Sequence, residues 1–149
     1  MKPAQIAFAL LAASIATIGT AAPSGEDTIY YRQAAMTMLG WNVQPLGAMV
    51  KGKLPWDAKQ FVVHADRIAS LAPQVLEGFA KGSDKGATTD AKPAIWANFD
   101  DFQSKYDDLV AQSKVLSTVA HSGDEAAMKD QFKKTAQACK ACHEKYKAD

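Results

Sequence analysis

Apolar residues recur at intervals of three and four along most of the chain, and this spacing constrains the fold more than any other feature of the 149-residue sequence. Such spacing places apolar side chains on one face of an α-helix. Four segments carry it, and none shows sustained two-residue alternation bounded by hairpin turns, so strands are not expected. Four amphipathic helices with mostly short connections predict an all-α fold, an antiparallel four-helix bundle. The predicted stripes are Ile29, Met36, Val43 and Val50; Phe61, Ala65, Ile68, Ala72, Val75 and Phe79; Ile95, Phe99, Phe102, Tyr106, Leu109, Leu116 and Ala120; and Met128, Phe132, Thr135, Cys139, Cys142 and Tyr146.

Short polar residues and one proline mark where the predicted helices begin. Ser24, with Asp27 three residues later, suits the start of the first helix, and Asp57 suits the start of the second. Pro93 is compatible with the first turn of the third helix, because that turn needs no backbone N–H. Asp124 is expected to cap the fourth.

Two prolines and one polar stretch are expected to interrupt the helices. Pro45 lies inside the first predicted helix and Pro73 inside the second, and each predicts a kink or a local break. Residues 81–92 are rich in Gly, Ser, Thr and Lys. This stretch is predicted to be a loop too polar to pack against the rest of the protein.

The first 22 residues have the pattern of a cleaved secretory signal peptide. Lys2 gives a positive start, residues 6–18 are almost entirely apolar, and Ala21 and Ala22 supply a cleavable end. An apolar stretch this short does not span a bilayer, although an N-terminal membrane anchor is the alternative. We therefore expect residues 1–22 to be removed and residues 23–149 to form one soluble periplasmic domain.

Charge and cysteine content exclude several classes of protein. Seventeen basic and 16 acidic residues leave a formal charge of +1, which lacks the strongly basic character of a nucleic-acid-binding domain. The apolar fraction of 48% and the charged fraction of 22% are ordinary for a globular protein. Two cysteines can build neither a disulfide framework nor a four-cysteine metal site.

Those two cysteines belong to the sequence motif that most clearly indicates a function. Cys139, Cys142 and His143 make the sequence C-x-x-C-H, which is the attachment motif of a c-type haem. Residues three and four apart share a helix face, so all three side chains can meet one edge of a flat macrocycle. Both thiols then bond to the haem vinyl groups as thioethers, and His143 becomes the proximal ligand of the iron.

Other interpretations of the motif are weaker. A thioredoxin-type C-x-x-C needs a βαβ context, and the sequence pattern contains none. A zinc site needs a fourth ligand that the sequence does not place. A structural disulfide between Cys139 and Cys142 leaves the adjacent His143 unexplained.

A single C-x-x-C-H near the C-terminus, on the last of four helices, resembles the class II cytochromes c, and within them cytochrome c′. The resemblance covers nearly the whole chain after residue 22. Four stretches carry it in the order of the family: Tyr31-Arg32-Gln33, the connection from Lys51-Gly52 to Pro55-Trp56-Asp57, Asp90-Ala91-Lys92-Pro93, and the tail from Cys139 to Lys147.

This resemblance implies roles for residues beyond the motif. Arg32 and Gln33 match positions that contact the haem and its propionates, and an arginine fork suits a carboxylate. Asp90 matches a loop position near the haem edge. Lys147 stands where the family has a basic residue, often arginine, beside the proximal imidazole, and lysine is a less rigid donor.

Met36 matches the family position over the distal face of the haem. In most cytochromes c′ an apolar side chain there covers a five-coordinate, high-spin iron that binds NO and CO, and we expect the same here. Low-spin relatives use a methionine at this position as the sixth ligand, so an electron carrier with His143 and Met36 as axial ligands is the alternative.

The resemblance also sets expectations about activity and assembly. We expect a protein that is not an enzyme, that binds or scavenges NO, and that exchanges electrons with an unidentified partner. Family members are often dimers through their first two helices, so we expect a homodimer. A thiol–disulfide enzyme using Cys139 and Cys142 remains the hypothesis from a different functional class.

Overall fold

The computed structural model describes residues 23–148, and the proposed signal peptide lies outside that range. Within it the secondary structure is helical apart from one isolated β-bridge. The chain forms α1 (Gly25–Val50), α2 (Ala58–Val75), a 3-10 turn (Leu76–Phe79), α3 (Ala94–Ala97), α4 (Phe99–Ala120) and α5 (Glu125–Tyr146).

The four long helices form the predicted bundle. Helix α2 packs against α1 on one side and α4 on the other, and α5 packs against α4. Helices α1 and α5 approach each other over only a short stretch. The core between the helices is apolar and includes the fully buried Phe61, Ile68, Leu116 and Met128. Amphipathic helices bury one face in this way because removing apolar surface from water drives their association.

The predicted helix starts are confirmed by side-chain caps. Ser24 Oγ accepts a hydrogen bond from the N–H of Asp27 at 3.1 Å, and the Asp27 carboxylate accepts one from the N–H of Ser24, which forms a capping box. Asp57 and Asp124 also accept backbone N–H groups of the first turn that follows them. These groups would otherwise lack a partner at the end of a helix.

Neither proline divides its helix, and α2 continues through Pro73 to Val75. Helix α1 continues as one element through Pro45, whereas the predicted third helix is divided at Asn98. Asn98 is not helical, with φ −136° and ψ 50°. Its N–H donates to the carbonyl of Ala94, and this is the last hydrogen bond of the short α3. The division therefore comes from a capping asparagine and not from a proline.

The polar loop of residues 81–92 is packed, contrary to expectation. Ser83 is buried, and the loop lies so close to the start of α1 that Cβ atoms would not fit at two glycines. A Cβ on Gly25 would stand 2.4 Å from the carbonyl oxygen of Lys85, and one on Gly86 (φ +122°) would stand 2.7 Å from the nitrogen of Glu26. Close backbone approach, which glycine allows, replaces apolar burial here.

Within residues 23–148, no helix combines the length and the apolar character that crossing a membrane requires.

Candidate functional site

A cavity of about 490 Å³ is lined by α1, α4, α5 and the loop before α3. Its lining is mostly apolar. All eight residues that the sequence singles out as site residues line it: Arg32, Gln33, Met36, Asp90, Cys139, Cys142, His143 and Lys147. Residues separated by more than a hundred positions in the chain therefore meet at one site.

The wall from α5 presents the C-x-x-C-H motif. Cys139, Cys142 and His143 fall within the last two turns of the helix, so their side chains share the face toward the cavity. Cys142 is buried, Cys139 is half-buried, and both thiols are free. The helix thus supplies two sulfur atoms and one imidazole to the same wall.

The surroundings of these side chains determine their protonation. Burial raises the pKa of Cys142 to about 11 and also raises the pKa of Cys139. Desolvation, followed by the nearby charge of Lys147, lowers the pKa of His143. At neutral pH both thiols are protonated and the imidazole is neutral, which is the form that binds a metal.

Protonated thiols argue against a thiol–disulfide enzyme, because such enzymes depend on cysteines whose pKa is lowered. The zinc alternative lacks support too, since no three His, Cys, Asp or Glu side chains between residues 23 and 148 converge on a common point. Zinc sites in proteins need three or four such ligands.

A second wall comes from α1 and carries Met36, Thr37, Gly40 and Val43. Met36 is half-buried and packs against the apolar core. The Thr37 hydroxyl donates to the Gln33 carbonyl at 2.8 Å, so its hydrogen is already used within the helix. The amide of Gln33 donates to the Thr88 carbonyl at 2.9 Å. The Thr37 hydroxyl has therefore used its single hydrogen, whereas the Gln33 amide uses only one of its two hydrogens in this contact.

Arg32 is a buried cation, with an exposed fraction of 2%. Its Nη1 donates to the carbonyls of Gly78 at 3.1 Å and Ser83 at 2.7 Å, and its Nη2 donates to the Thr89 hydroxyl at 3.0 Å. The guanidinium carbon lies 5.3 Å from the ring centre of Trp96. Desolvation lowers the pKa of Arg32, yet an arginine stays charged in proteins.

These contacts refine what the resemblance implies for Arg32. Its terminal nitrogens hold the 3-10 turn and the loop that follows it, while Nε is buried without a hydrogen-bond partner. A buried donor left unpaired costs free energy, so a site with an acceptor for Nε is favoured. A carboxylate of a bound group would provide that acceptor.

Asp90 and Lys147 lie together at the rim of the cavity. Both are exposed, and the ammonium of Lys147 stands 3.5 Å from the Asp90 carboxylate. The backbone joins the same two segments, because the N–H of Ala148 donates to the Asp90 carbonyl at 2.7 Å and the N–H of Lys92 to the Tyr146 carbonyl at 2.9 Å. This pairing fixes the end of α5 against the loop before α3.

Sequence reasoning missed the contribution of α4 to the site. Lys105, Tyr106 and Leu109 line the cavity, and Tyr106 donates its buried hydroxyl to the Ala72 carbonyl at 2.8 Å. The sequence assigned Tyr106 and Leu109 to the general core. Their helical spacing is the same for a core contact as for a cavity wall, and no local signal separates the two.

The residues of the cavity fit a covalently attached haem. The thiols of Cys139 and Cys142 and the neutral imidazole of His143 line one wall, and the remaining lining is largely apolar. The buried Nε of Arg32 has no hydrogen-bond acceptor within the protein. The family model for cytochrome c′ matches residues 27–147, which span every element of the fold. The chain belongs to the cytochrome c′ family.

Individual relatives agree with this assignment. The chain is 36% identical over 121 residues to the cytochrome c′ of Rubrivivax gelatinosus, covering 81% of this chain and 94% of that protein. The cytochrome c′ structure from Shewanella frigidimarina superposes with a TM-score of 0.81 at 41% identity, covering 85% of this chain and 98% of that one. A mutant of the Alcaligenes xylosoxidans cytochrome c′, solved as its nitric oxide complex, superposes with a TM-score of 0.77 at 29% identity, covering 85% and 97%.

Family membership settles several predictions. Cytochrome c′ proteins carry one covalent haem c, and Cys139 and Cys142 provide its two attachment points here. The predicted all-α four-helix bundle is confirmed by the fold and by the superposed cytochromes c′. The protein is therefore a haem c protein, and haem proteins of this family serve in electron transport.

Proposed function

We propose that this cytochrome c′ holds its haem iron through His143 alone, in a five-coordinate, high-spin state, and binds NO and CO on the side of Met36. The observation that carries the proposal is the composition of the α1 wall. Met36 and Val43 are apolar, and the Thr37 hydroxyl already donates to the Gln33 carbonyl.

This wall favours some diatomic gases over others. When bound, the haem supplies a ferrous iron to which NO, CO or dioxygen can attach. Bound dioxygen carries partial negative charge and is stabilised by a hydrogen-bond donor, whereas NO and CO need none. Because Met36, Gly40 and Val43 carry no hydrogen-bond donor and the Thr37 hydroxyl donates to the Gln33 carbonyl, this stretch of α1 favours NO and CO.

The surroundings of His143 on α5 favour the protonation state in which its imidazole can bind iron. Burial and the charge of Lys147 favour the neutral imidazole, which has a free lone pair for a metal. Lys147 in turn is held near Asp90. We propose that this pair keeps the cation beside His143 while preserving the local charge balance.

The remaining parts of the proposal concern biological context. The pattern of residues 1–22 supports export to the periplasm, where covalent attachment would prevent loss of the haem. We propose NO binding or scavenging there, together with electron exchange with an unidentified redox partner. This role involves no catalysed reaction.

A second candidate function is favoured by one specific observation. Met36 lines the same cavity as His143, and a thioether sulfur can bind haem iron and raise its reduction potential. The alternative is therefore a low-spin electron carrier with His143 and Met36 as axial ligands.

Mass spectrometry and absorption spectra of the purified protein test these proposals together. We expect the polypeptide mass to include one haem, the oxidised spectrum to be high-spin, and the reduced spectrum to change on addition of CO. Low-spin bands that are indifferent to CO would support the second candidate. A polypeptide without haem mass would overturn both.

The expected homodimer has a candidate surface on α1 and α2. Trp41 and Met38 of α1 are 73% and 52% exposed, and Val63 of α2 is 39% exposed. Trp41 and Met38 line a groove that also includes Asn42 and Arg67. Large exposed apolar side chains concentrated on one face mark interaction surfaces, and we propose that a second copy of the chain covers this one.

Trp41→Asp should therefore shift the protein from dimer to monomer, since a buried carboxylate without a partner opposes association. Val115→Asp is the matched control, because Val115 is 46% exposed but lies on α4. Sedimentation velocity across a concentration series reports the outcome. A wild-type protein that is monomeric throughout, or equal behaviour of both variants, would contradict the proposed interface.

A further inference from the structure

The helical glycine Gly40 has no structural reason of its own to be glycine. Most other glycines in residues 23–148 take positive φ angles, as at Gly52, or pack where a Cβ would collide, as at Gly78, which lies against Arg32. Gly47 is the exception, since a Cβ there would make only ordinary contact. Gly40 has ordinary helical geometry, and a Cβ built there meets no atom of the described chain within 4 Å. A glycine inside a helix is less stable than alanine, so its presence calls for another cause.

The position of Gly40 suggests that cause. It lines the same cavity as Met36 and follows it by one helical turn. Side chains in an α-helix lean toward its N-terminus, so a side chain at position 40 would cover the surface over the preceding turn. Met36 is one of the cavity-lining residues of that turn. The missing Cβ leaves space beside the methionine side chain on the α1 wall.

Met36 is suited to use that space. Its side chain is half-buried and unbranched, with three rotatable bonds that let a methionine adopt several arrangements at little cost. A branched or larger neighbour at position 40 would restrict these arrangements. We propose that Gly40 is a specificity-determining position that lets Met36 move aside when a diatomic gas binds on that side of the haem.

This inference rests on the proposed five-coordinate gas binding and adds a residue that the family resemblance does not assign. Its test compares Gly40→Ala with Gly47→Ala in the haem-loaded, reduced protein. Gly47 is the matched control because it lies on the same helix, and its added Cβ would make only ordinary contact, at 3.5 Å, with the ring of Phe132. We expect Gly40→Ala to slow CO association about fivefold, and Gly47→Ala to leave it within about twofold of wild type.

A double-mutant comparison identifies the partner of Gly40. If Gly40 acts by giving Met36 room, then Gly40→Ala should have no effect on CO association in a Met36→Ala background. Slowing that persists without the methionine side chain would overturn the proposal, and so would equal rates for Gly40→Ala and Gly47→Ala. Gly40→Ser repeats the test with a second small side chain if the alanine variant does not accumulate.

Thermal unfolding of the ligand-free holoprotein is a readout independent of gas binding. Both alanine variants should raise Tm by about 3 °C through helix propensity, because neither Cβ meets a close protein atom. A large loss of Tm confined to Gly40→Ala would assign the glycine to packing and overturn the proposal. If the wild-type protein does not bind CO, the proposed function is wrong. If the wild-type protein binds CO and Gly40→Ala binds it at the same rate, only the inference about Gly40 is wrong.

Discussion

Replacing Arg32 by leucine is expected to lower the stability of the protein by about 3 kcal/mol, because it leaves several buried acceptors without a donor. The carbonyls of Gly78 and Ser83 and the hydroxyl of Thr89 all receive hydrogen bonds from the guanidinium. Leucine would fill part of the volume beside Trp96 but would satisfy none of these groups. Thermal unfolding of the haem-loaded protein should show Tm falling by about 10 °C.

The neighbouring residue provides the control for this effect. Gln33 reaches the same loop through one hydrogen bond, to the Thr88 carbonyl, but its side chain is exposed and water can replace the bond. Gln33→Leu should therefore cost less than about 1 kcal/mol. Arg32→Lys keeps the charge with a single compact donor and should fall between the two. Equal and small losses for Arg32→Leu and Gln33→Leu would show that the loop is held by other contacts.

The importance of Arg32 for stability lies beyond what local sequence reasoning reveals. Its acceptors are 46 to 57 positions away in the chain, and two of them, Ser83 and Thr89, lie in a stretch whose composition predicts a loose loop. The approach depends on glycine at position 78, where a Cβ would stand 2.5 Å from the Cβ of Arg32. Such contacts are set by tertiary packing, which hydrophobic periodicity does not encode.

The spacing of apolar residues predicted burial correctly for helices whose apolar face packs only against the protein core. The stripe of α2, including Phe61 and Ile68, is buried as predicted, and the caps at Ser24 and Asp57 begin their helices. These features depend on neighbours within one or two turns, so the sequence contains the information needed to place them.

Helix α1 shows where the same reasoning fails. The predicted stripe includes Met36 and Val43, yet these two are half-buried at the cavity, while the core side of the helix carries Leu46 and Met49. A helix placed between a protein core and a cofactor site needs apolar side chains in both directions. Apolar residues spaced three and four apart look the same on the core-facing and the cavity-facing side of α1. The family resemblance alone therefore predicted that Met36 lies at the site.

The placement of Met36 leads to the second large expected effect. Met36→Ala should accelerate CO association with the reduced protein by about tenfold to a hundredfold, because relief of steric crowding in a packed site is worth about 1–3 kcal/mol. The oxidised spectrum should remain high-spin, since the proposed iron coordination does not use the thioether. Flash photolysis of the CO complex measures the rate, and absorption spectroscopy reports the spin state.

Met38→Ala is the control, because that methionine is two positions further along α1, 52% exposed, and beside the groove on α1 and α2 instead of the cavity. It should leave the CO rate within about twofold of wild type, as expected for independent sites. A change from low-spin to high-spin bands in Met36→Ala would instead show that the thioether ligates the iron. That result would favour the electron carrier, since a sixth ligand has to dissociate before a gas can bind, whereas a methionine that only crowds the site has merely to move aside.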